Sequence, residues 1–529
     1  MSISNQYIEI NPDFAHALEL LEKTNKHLFI TGKAGTGKST LLQYFREHTT
    51  KQVVVLAPTG VAALNVKGQT IHSFFRFPPH ITIAAIDKKA PPGKLKDILR
   101  KIDAIIIDEV SMVRADLLDC VDTALRHYRN DETPFGGLQM IFIGDLYQLP
   151  PVVKGQEERK HFTTYYKSPY FFDAKVIEQV KIELIELNKI YRQKDQDFID
   201  LLNKIRNNSV EERDIAVLNG RLNPDFEQKS RGNDFYITLT TTNLAADIVN
   251  NKKLAQLKTK IKKYTAQVSG KFDAAYFPTS LELEVKAGAQ IMLLNNDAGK
   301  RWVNGSIGQI IAIEDAEGKG EGTTPLGGVV TVKLNNGKIV DVTRYTWEIS
   351  HYFFNKEAGH LDTESIGSFT QYPLRLAWAV TIHKSQGKTF DNVIVDLGQG
   401  SFAQGQVYVA ISRCTSFEGL VLKKPIHKKH IWIDYHITRF LTRYQYNISE
   451  KNMPLEEKIK RIREAIEKKE VIEITYLKAN DTKSRRRIEP RSVGDLEYLG
   501  KTFLGIEAYC QERKDMRNFR VDRILEIRR

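Results

Sequence analysis

Gly32-Lys-Ala-Gly-Thr-Gly37-Lys38-Ser39 sets glycines, a lysine and a hydroxyl in the order GxxxxGK[ST]. That order suits a phosphate. Glycines let backbone N–H groups wrap the oxygens, and a helix opening at the lysine adds its partial positive charge. Gly32, Ala34, Gly35, Thr36, Gly37, Lys38, Ser39 and Thr40 are therefore the candidate nucleotide-binding residues. Lys38 would reach the β- and γ-phosphates, and the Ser39 hydroxyl would ligate Mg2+. Asp108-Glu109 follows the apolar run Ala104 to Ile107. Two carboxylates at the carboxyl end of a buried parallel strand point into the crevice where ligands bind. Asp108 would hold Mg2+ through water, and Glu109 would orient and deprotonate the attacking water. Gln148, in Gly144-Asp-Leu-Tyr-Gln148, would contact the γ-phosphate. Arg192 and Arg413 either stabilise the charge that builds during phosphoryl transfer or form ordinary surface ion pairs.

The elements that must position these groups are visible as apolar runs. Leu28 to Thr31, Val53 to Leu56, Ile105 to Ile107 and Met140 to Ile143 each read as a buried strand of a parallel sheet. A second set, Ile237 to Thr241, Leu376 to Val380, Val393 to Leu397 and Leu420 to Leu422, predicts a second α/β unit. Between them, about 263–365, short alternating strands are separated by glycine-rich turns such as Glu317 to Gly322 and Gly327-Gly328, which predicts a small all-β insertion with an exposed hairpin tip. Near 447–454 the chain turns polar and reaches Pro454. Leu455, Ile459, Ile462 and Ile466 then share one helical face.

Composition narrows the partners. The 529 residues hold 78 Lys+Arg against 65 Asp+Glu, a net charge of +13, which points to a polyanion and to nucleic acid first. The stretch 451–529 alone holds 21 basic residues against 15 acidic ones. No apolar run is long enough to span a membrane, and the first residues read as no secretory signal. Cys120, Cys414 and Cys510 make no CxxC pair, so a disulfide framework and a cysteine zinc site are not expected and a reducing bacterial cytoplasm fits.

These motifs together resemble the petite-integration-frequency DNA helicases, relatives of RecD in the 5′→3′ branch of helicase superfamily 1. The resemblance covers about 12–445. It is carried by Gly32–Ser39, Ala57-Pro-Thr-Gly-Val-Ala-Ala63 with Gly68-Gln-Thr-Ile-His-Ser-Phe74, Asp108-Glu-Val-Ser-Met112, Gly144 to Gln148, Arg192, Phe198 to Arg206, Thr381-Ile-His-Lys-Ser-Gln-Gly387-Lys-Thr389 and Gly405 to Arg413. It implies an α/β protein with two RecA-like P-loop domains and ATP between them: 1–185, with a duplex-splitting wedge at about 75–100, and 186–262 with 366–446. It implies a β-barrel insertion of the Src-homology-3 type at 263–365. Arg192 and Arg413 become arginine fingers, and Gly387 joins the nucleotide-binding set. On the DNA track it implies Pro58, Thr59, His72, Ser73, Thr241, Asn243, His383, Lys384 and Ser385, although His72 and His383 also read as structural histidines. Relatives usually carry an adenine-reading glutamine before the phosphate loop, and around Phe14-Ala15-His16-Ala17 this chain has none.

The tail 451–529 is similar to a WYL domain, a small β-rich module, through Ile474-Thr-Tyr476, Arg487-Ile-Glu-Pro490-Arg491 and Arg517-Asn-Phe-Arg520. Thr502-Phe503-Leu504 stands where that family carries Trp-Tyr-Leu. Arg487, Arg491, Arg517 and Arg520 are expected to form a single-strand-binding groove, or else to solvate a packing module. The expected activity is an ATP- and Mg2+-dependent DNA helicase moving 5′→3′ on single-stranded DNA and acting, as a monomer, on tailed or structured duplex DNA. The alternative is a DNA-stimulated ATPase switch, or a nucleic-acid-binding regulator whose tail senses a ligand.

Overall fold

The computed structural model describes residues 9–87, 93–227, 235–314, 328–355, 360–398, 400, 403–478, 483–498 and 500–528. The expected glycine-rich hairpin tip at Glu317 to Gly322 and Gly327 lies outside them, as does the amino terminus up to residue 8. The chain forms two compact units. One comprises residues 1–203 and 210–431, the other residues 204–209 and 432–529.

The larger unit is built on two parallel sheets. The first has six strands in the order Gln69–Thr70, Val53–Ala57, Ala104–Ile107, Gln139–Ile143, His27–Gly32, Ile182–Leu187. Its strands run parallel throughout. Three of the inner strands carry no polar residue facing solvent, as expected when helices cover both faces. Helices Pro12–Lys23 and Lys38–His48 bring Phe14, Leu21, Leu41 and Phe45 onto one face of this sheet. The strand Ile182–Leu187 pairs with His27–Gly32 over its full length, so the first sheet runs past the expected boundary at 185.

The second parallel sheet has the order Ala379–Thr381, Tyr236–Thr240, Asn392–Asp396, Leu420–Leu422. Leu376 to Val380, read from sequence as one strand, is divided. Leu374–Leu376 pairs antiparallel with Gln290–Leu293 in the insertion, and Ala379–Thr381 joins the parallel sheet. The insertion thus continues beyond 365, because Leu374 is part of its core with Val285, Ile291, Val332 and Val342.

That insertion contains a five-stranded antiparallel sheet in which Ile339–Val342 and Leu374–Leu376 are the outer strands. No ladder joins those two strands among the described residues. It also sends out an arm that short alternating runs do not predict: Tyr345–Asn355 pairs with His360–Gln371 over eleven residues. The arm lies against the first sheet. The Tyr352 hydroxyl accepts from Val55 N at 3.2 Å, and Gln52 Oε1 accepts from Leu361 N at 2.7 Å.

The smaller unit is a five-stranded antiparallel sheet in the order Asp515–Arg520, Lys501–Cys510, Lys483–Tyr498, Ile472–Leu477, Ile524–Arg528. Helix Leu455–Lys468 covers one face, with Ile462 fully buried and Ile459 and Ile466 packed beside it. Leu455, expected on the same face, is 36% exposed, because it begins the helix beyond the sheet's cover. The boundary expected at 451 falls inside helix Tyr435–Asn452. That helix belongs to the unit: Ser449 Oγ donates to the carbonyls of Ile524 and Leu525.

Candidate active site

The strand His27–Gly32 delivers the phosphate loop to the edge of the first sheet, and helix Lys38–His48 leaves from it. Gly35 and Gly37 take φ of +82° and +87°, where a side chain is strained. A Cβ on Gly35 would also lie 2.5 Å from that of Arg192. Lys38 Nζ arches back and donates to the carbonyls of Gly32 (2.7 Å) and Lys33 (3.0 Å). Thr36 and Ala34 are buried in the loop, while Ser39 and Thr40 open to solvent at the first turn of the helix. Two residues outside the motif hold the loop. Ala34 N donates to the Tyr408 hydroxyl (2.9 Å), and Tyr191 N donates to Gly35 O (2.9 Å).

Asp108 and Glu109 follow the buried strand Ala104–Ile107 directly. Glu109 sits at φ 51°, ψ 40°. A left-handed non-glycine residue costs about 1 kcal/mol or more, and such strain persists where the surrounding structure imposes it. Burial raises the Asp108 carboxyl above its ordinary range, against the pull of Lys38. Burial and then the Asp108 charge raise Glu109, while Lys38 and Arg413 oppose them. Asp145 and Gln148, both buried, end the neighbouring strand, and Gln148 Nε2 donates to Asp145 Oδ2 at 3.2 Å. Gln386, from the far side of the cleft, donates through Nε2 to Glu109 Oε2 (2.9 Å) and to Gln148 Oε1 (3.4 Å).

The two arginines are not surface ion pairs. Arg413 is 1% exposed. It donates to Val409 O, Lys388 O and Ser412 Oγ. Burial and then Arg192 push its guanidinium down to about 9, with Tyr408, Glu109 and Asp145 pulling the other way. Arg192, half-buried, donates to Ser412 O at 3.1 Å, and Gln193 adds bonds to the carbonyls of Ser412 and Cys414. Gly405 closes the cleft from the second sheet. At φ +71°, a Cβ there would lie 2.4 Å from the carbonyl oxygens of Tyr147 and Gln148.

Sequence reading missed three residues in this constellation. Tyr408, Gln386 and Gly405 all lie inside motifs that were legible as motifs, but nothing in their types says which member crosses the cleft. Gly387 takes φ +76° with open space around it.

The candidate DNA residues sit at the carboxyl ends of parallel strands: Pro58 and Thr59 after Val53–Ala57, Thr241 and Asn243 after Tyr236–Thr240, and His383 and Lys384 after Ala379–Thr381. Threonines cap the helices that leave there. Thr59, Thr70 and Thr242 each accept a backbone N–H from the first turn, a contribution of about 1 kcal/mol apiece. Thr59 and Asn243 are exposed. His72, beside Ser73, is half-buried, and burial followed by the Arg114 charge lowers its imidazole pKa. Burial lowers that of His383 as well. Ser385 departs from the expectation. It is fully buried, and its hydroxyl donates to Ile382 O at 2.7 Å, so it fixes the turn and offers nothing to a strand.

In the smaller unit the four expected arginines do not form one groove. Arg487 pairs with Glu473 and Arg520 with Gly505, on the sheet face away from the helix. Arg517 pairs with buried Ala508, which places it on the opposite face. Arg491 is the extra residue of a β-bulge and pairs with Glu489 at 3.1 Å. The helix-free face gains other members: Arg485, two residues from Arg487, and Tyr509, 36% exposed. The Arg520 guanidinium lies over the Phe503 ring, 5.4 Å from its centroid, and is also paired with Asp522.

Two parallel sheets with a phosphate loop, an acidic pair and two arginines meeting at one cleft define a P-loop nucleoside-triphosphatase of the two-domain motor class. The chain belongs to the PIF1-like helicase family. That family model matches residues 14–215, and a WYL domain model matches 457–529. ATP-dependent DNA helicase Pif1 of Bdellovibrio bacteriovorus is 32% identical over 424 residues, covering 78% of this chain and 88% of that one. Human ATP-dependent DNA helicase PIF1 is 32% identical over 432 residues, 79% of this chain and 62% of that one. Among solved structures, Bacteroides Pif1 in complex with ADP-AlF4 superposes with a TM-score of 0.74 at 35% identity, covering 83% of this chain and 97% of that chain. Bacteroides Pif1 bound to ssDNA gives 0.59 at 36% identity over the same shares. Among the described residues no helix is long and apolar enough to cross a membrane.

Proposed function

We propose that this chain is an ATP-dependent DNA helicase that moves 5′→3′ on single-stranded DNA and unwinds tailed or structured duplexes. The carrying observation is the convergence of Lys38, Asp108-Glu109, Gln148, Arg192 and Arg413 on one cleft between two parallel sheets. Lys38, with the amides of the loop, would hold the β- and γ-phosphates. Glu109 and Gln148 would orient the attacking water, with Glu109 taking its proton. Arg192 and Arg413 would meet the charge that builds on the transferring group.

The residues present fit Mg2+. Ser39 and Asp108 offer the hard oxygen donors that the ion prefers, and a cation there would offset both the burial of Asp108 and the Asp108 charge that raises Glu109. Bound there, the ion would neutralise negative charge on the phosphates during transfer. Relatives named Pif1 with ADP-AlF4 and with ssDNA support both ligands. ATP is the nucleotide the family relatives support, while the absence of an adenine-reading glutamine removes one basis for preferring it over other nucleoside triphosphates.

Thr59, Asn243, His383 and Lys384 would touch one strand by its phosphates and bases, as sequence-tolerant binding requires. Helices Ile83–Asp87 and Gly93–Leu99 would carry the wedge. The chain would act as a monomer. A reducing compartment such as the bacterial cytoplasm would suit three cysteines spread far apart along the sequence. An unwinding assay on matched 5′-tailed and 3′-tailed duplexes tests the reading. Strand separation from the 5′ tail alone is expected. Unwinding from the 3′ tail alone sinks the polarity, and DNA-stimulated turnover with no unwinding would establish the switch instead.

The helix-free face of the smaller unit, with Arg485, Arg487, Arg520, Phe503 and Tyr509, would add single-strand contacts: cations for phosphates and rings for bases. Replacing Arg485 and Arg487 with glutamine in the full chain should weaken ssDNA binding and flatten its salt dependence by about one log–log unit per lost phosphate contact. An unchanged slope counts against that face.

A further inference from the structure

The helicase reading leaves open how DNA on one side of the cleft governs hydrolysis on the other. We infer that Gln386 is a positioning residue that holds the water-activating groups in an unproductive bond until the neighbouring His383 and Lys384 engage single-stranded DNA. This inference rests on the helicase reading above.

The geometry is specific. The Gln386 amide nitrogen donates to Glu109 Oε2 at 2.9 Å and to Gln148 Oε1 at 3.4 Å. A water lined up for attack must use the same two groups, giving its proton to the carboxylate and being oriented by the glutamine. An amide that occupies both takes the water's place.

The link to DNA is covalent and short. Gln386 N donates to His383 O, and Lys388 N donates to Ser385 O, so residues 383–388 form one wound turn. Ser385 pins its middle, through its hydroxyl on Ile382 O and its amide on Thr381 O. Beyond Gln386 the turn has room to move. Gly387 takes φ +76°, and nothing lies within 4 Å of where its Cβ would be. The far end is anchored again, by Lys388 Nζ on Asn304 Oδ1 at 2.6 Å and by Arg413 on Lys388 O. A displacement imposed at His383 and Lys384 therefore reaches Gln386 before it is absorbed. It also reaches Arg413, so one strand contact would free the base and shift an arginine together.

ATP turnover without DNA and at saturating oligo-dT decides the matter, measured for the parent, Gln386→Ala, Gln386→Met and Gln386→Asn. Methionine conserves the side-chain volume and lacks the donor, so it decides if the alanine variant folds poorly. Both donor-free variants should raise the DNA-free rate by about tenfold, the worth of a hydrogen bond to a charged group, and shrink the DNA-stimulation ratio to match. Asparagine, with its amide retained on a shorter stem, should fall between. Affinity for oligo-dT should stay at the parental value. A DNA-free rate at or below the parent's in Gln386→Met overturns the inference. A parent that DNA does not stimulate fails the helicase reading itself, a distinct result from the same assay.

Discussion

Lys38→Ala should lower ATP turnover by about a thousandfold or more, with the fold intact. The size follows from the role. Phosphoryl transfer asks the protein for little except position and positive charge, and a single well-placed donor is worth about a hundredfold to a thousandfold in rate. Lys38 supplies a full charge at the start of helix Lys38–His48, next to loop glycines with positive φ. Its bonds to the carbonyls of Gly32 and Lys33 are local, and water can replace them in the variant. The melting temperature should therefore stay close to the parent's while turnover disappears. Nucleotide-dependent DNA release, followed by fluorescence anisotropy, should disappear with it. Residual turnover within tenfold of the parent would mean that the phosphates are held elsewhere.

Much of this site was legible before the fold was known, and the reason is local. A phosphate loop needs its glycines, lysine and hydroxyl within eight consecutive residues, and an acidic pair needs only the apolar strand before it. Each such motif carries its geometry with it, so Gly32–Ser39 and Asp108-Glu109 stand out in the sequence, as do four of the six strands of the first sheet. Arg192 and Arg413 were ambiguous because their meaning lies across the cleft. Only burial and the bonds to Ser412 and Lys388 separate them from surface cations. Gln386 and Tyr408 were missed for the same reason: each acts on a partner more than two hundred residues away.

Errors cluster where the hydrophobic pattern is shared between two sheets. Leu376 to Val380 is continuous as a run, yet the chain leaves the antiparallel insertion at Leu376 and enters the parallel sheet at Ala379. The strand Tyr345–Asn355 shows why the arm was missed. Its residues alternate only loosely, since both faces meet protein for part of its length, and the period-2 signal needs one wet face. In the smaller unit the four arginines expected in one groove fall on different faces. A bulge between Pro490 and Ser492 shifts the register, and a one-residue shift exchanges the faces of a strand.

Glu109→Gln should separate chemistry from binding and from folding in one substitution. Glutamine keeps the shape and removes the proton acceptor, so turnover should fall by about a hundredfold to ten-thousandfold, the range for a lost general base. Nucleotide binding should survive, because Lys38 and the loop would still hold the phosphates. Stability should move the opposite way from activity. The folded protein raises the Glu109 carboxyl above its ordinary value through burial and the Asp108 charge, so ionising it in the fold is unfavourable. The protonated form's advantage is fully present below the unfolded carboxylate pKa of about 4.3 and is lost as pH rises through the raised folded value. Glutamine carries no such penalty. The variant should therefore match the parent's melting temperature near pH 4 and exceed it at pH 8. Added Mg2+ and nucleotide should narrow that gap, since a cation beside Asp108 favours the ionised parent. A variant that is less stable at pH 8 would show that the Glu109 charge is structural, and the strained backbone at φ 51° would then need another cause.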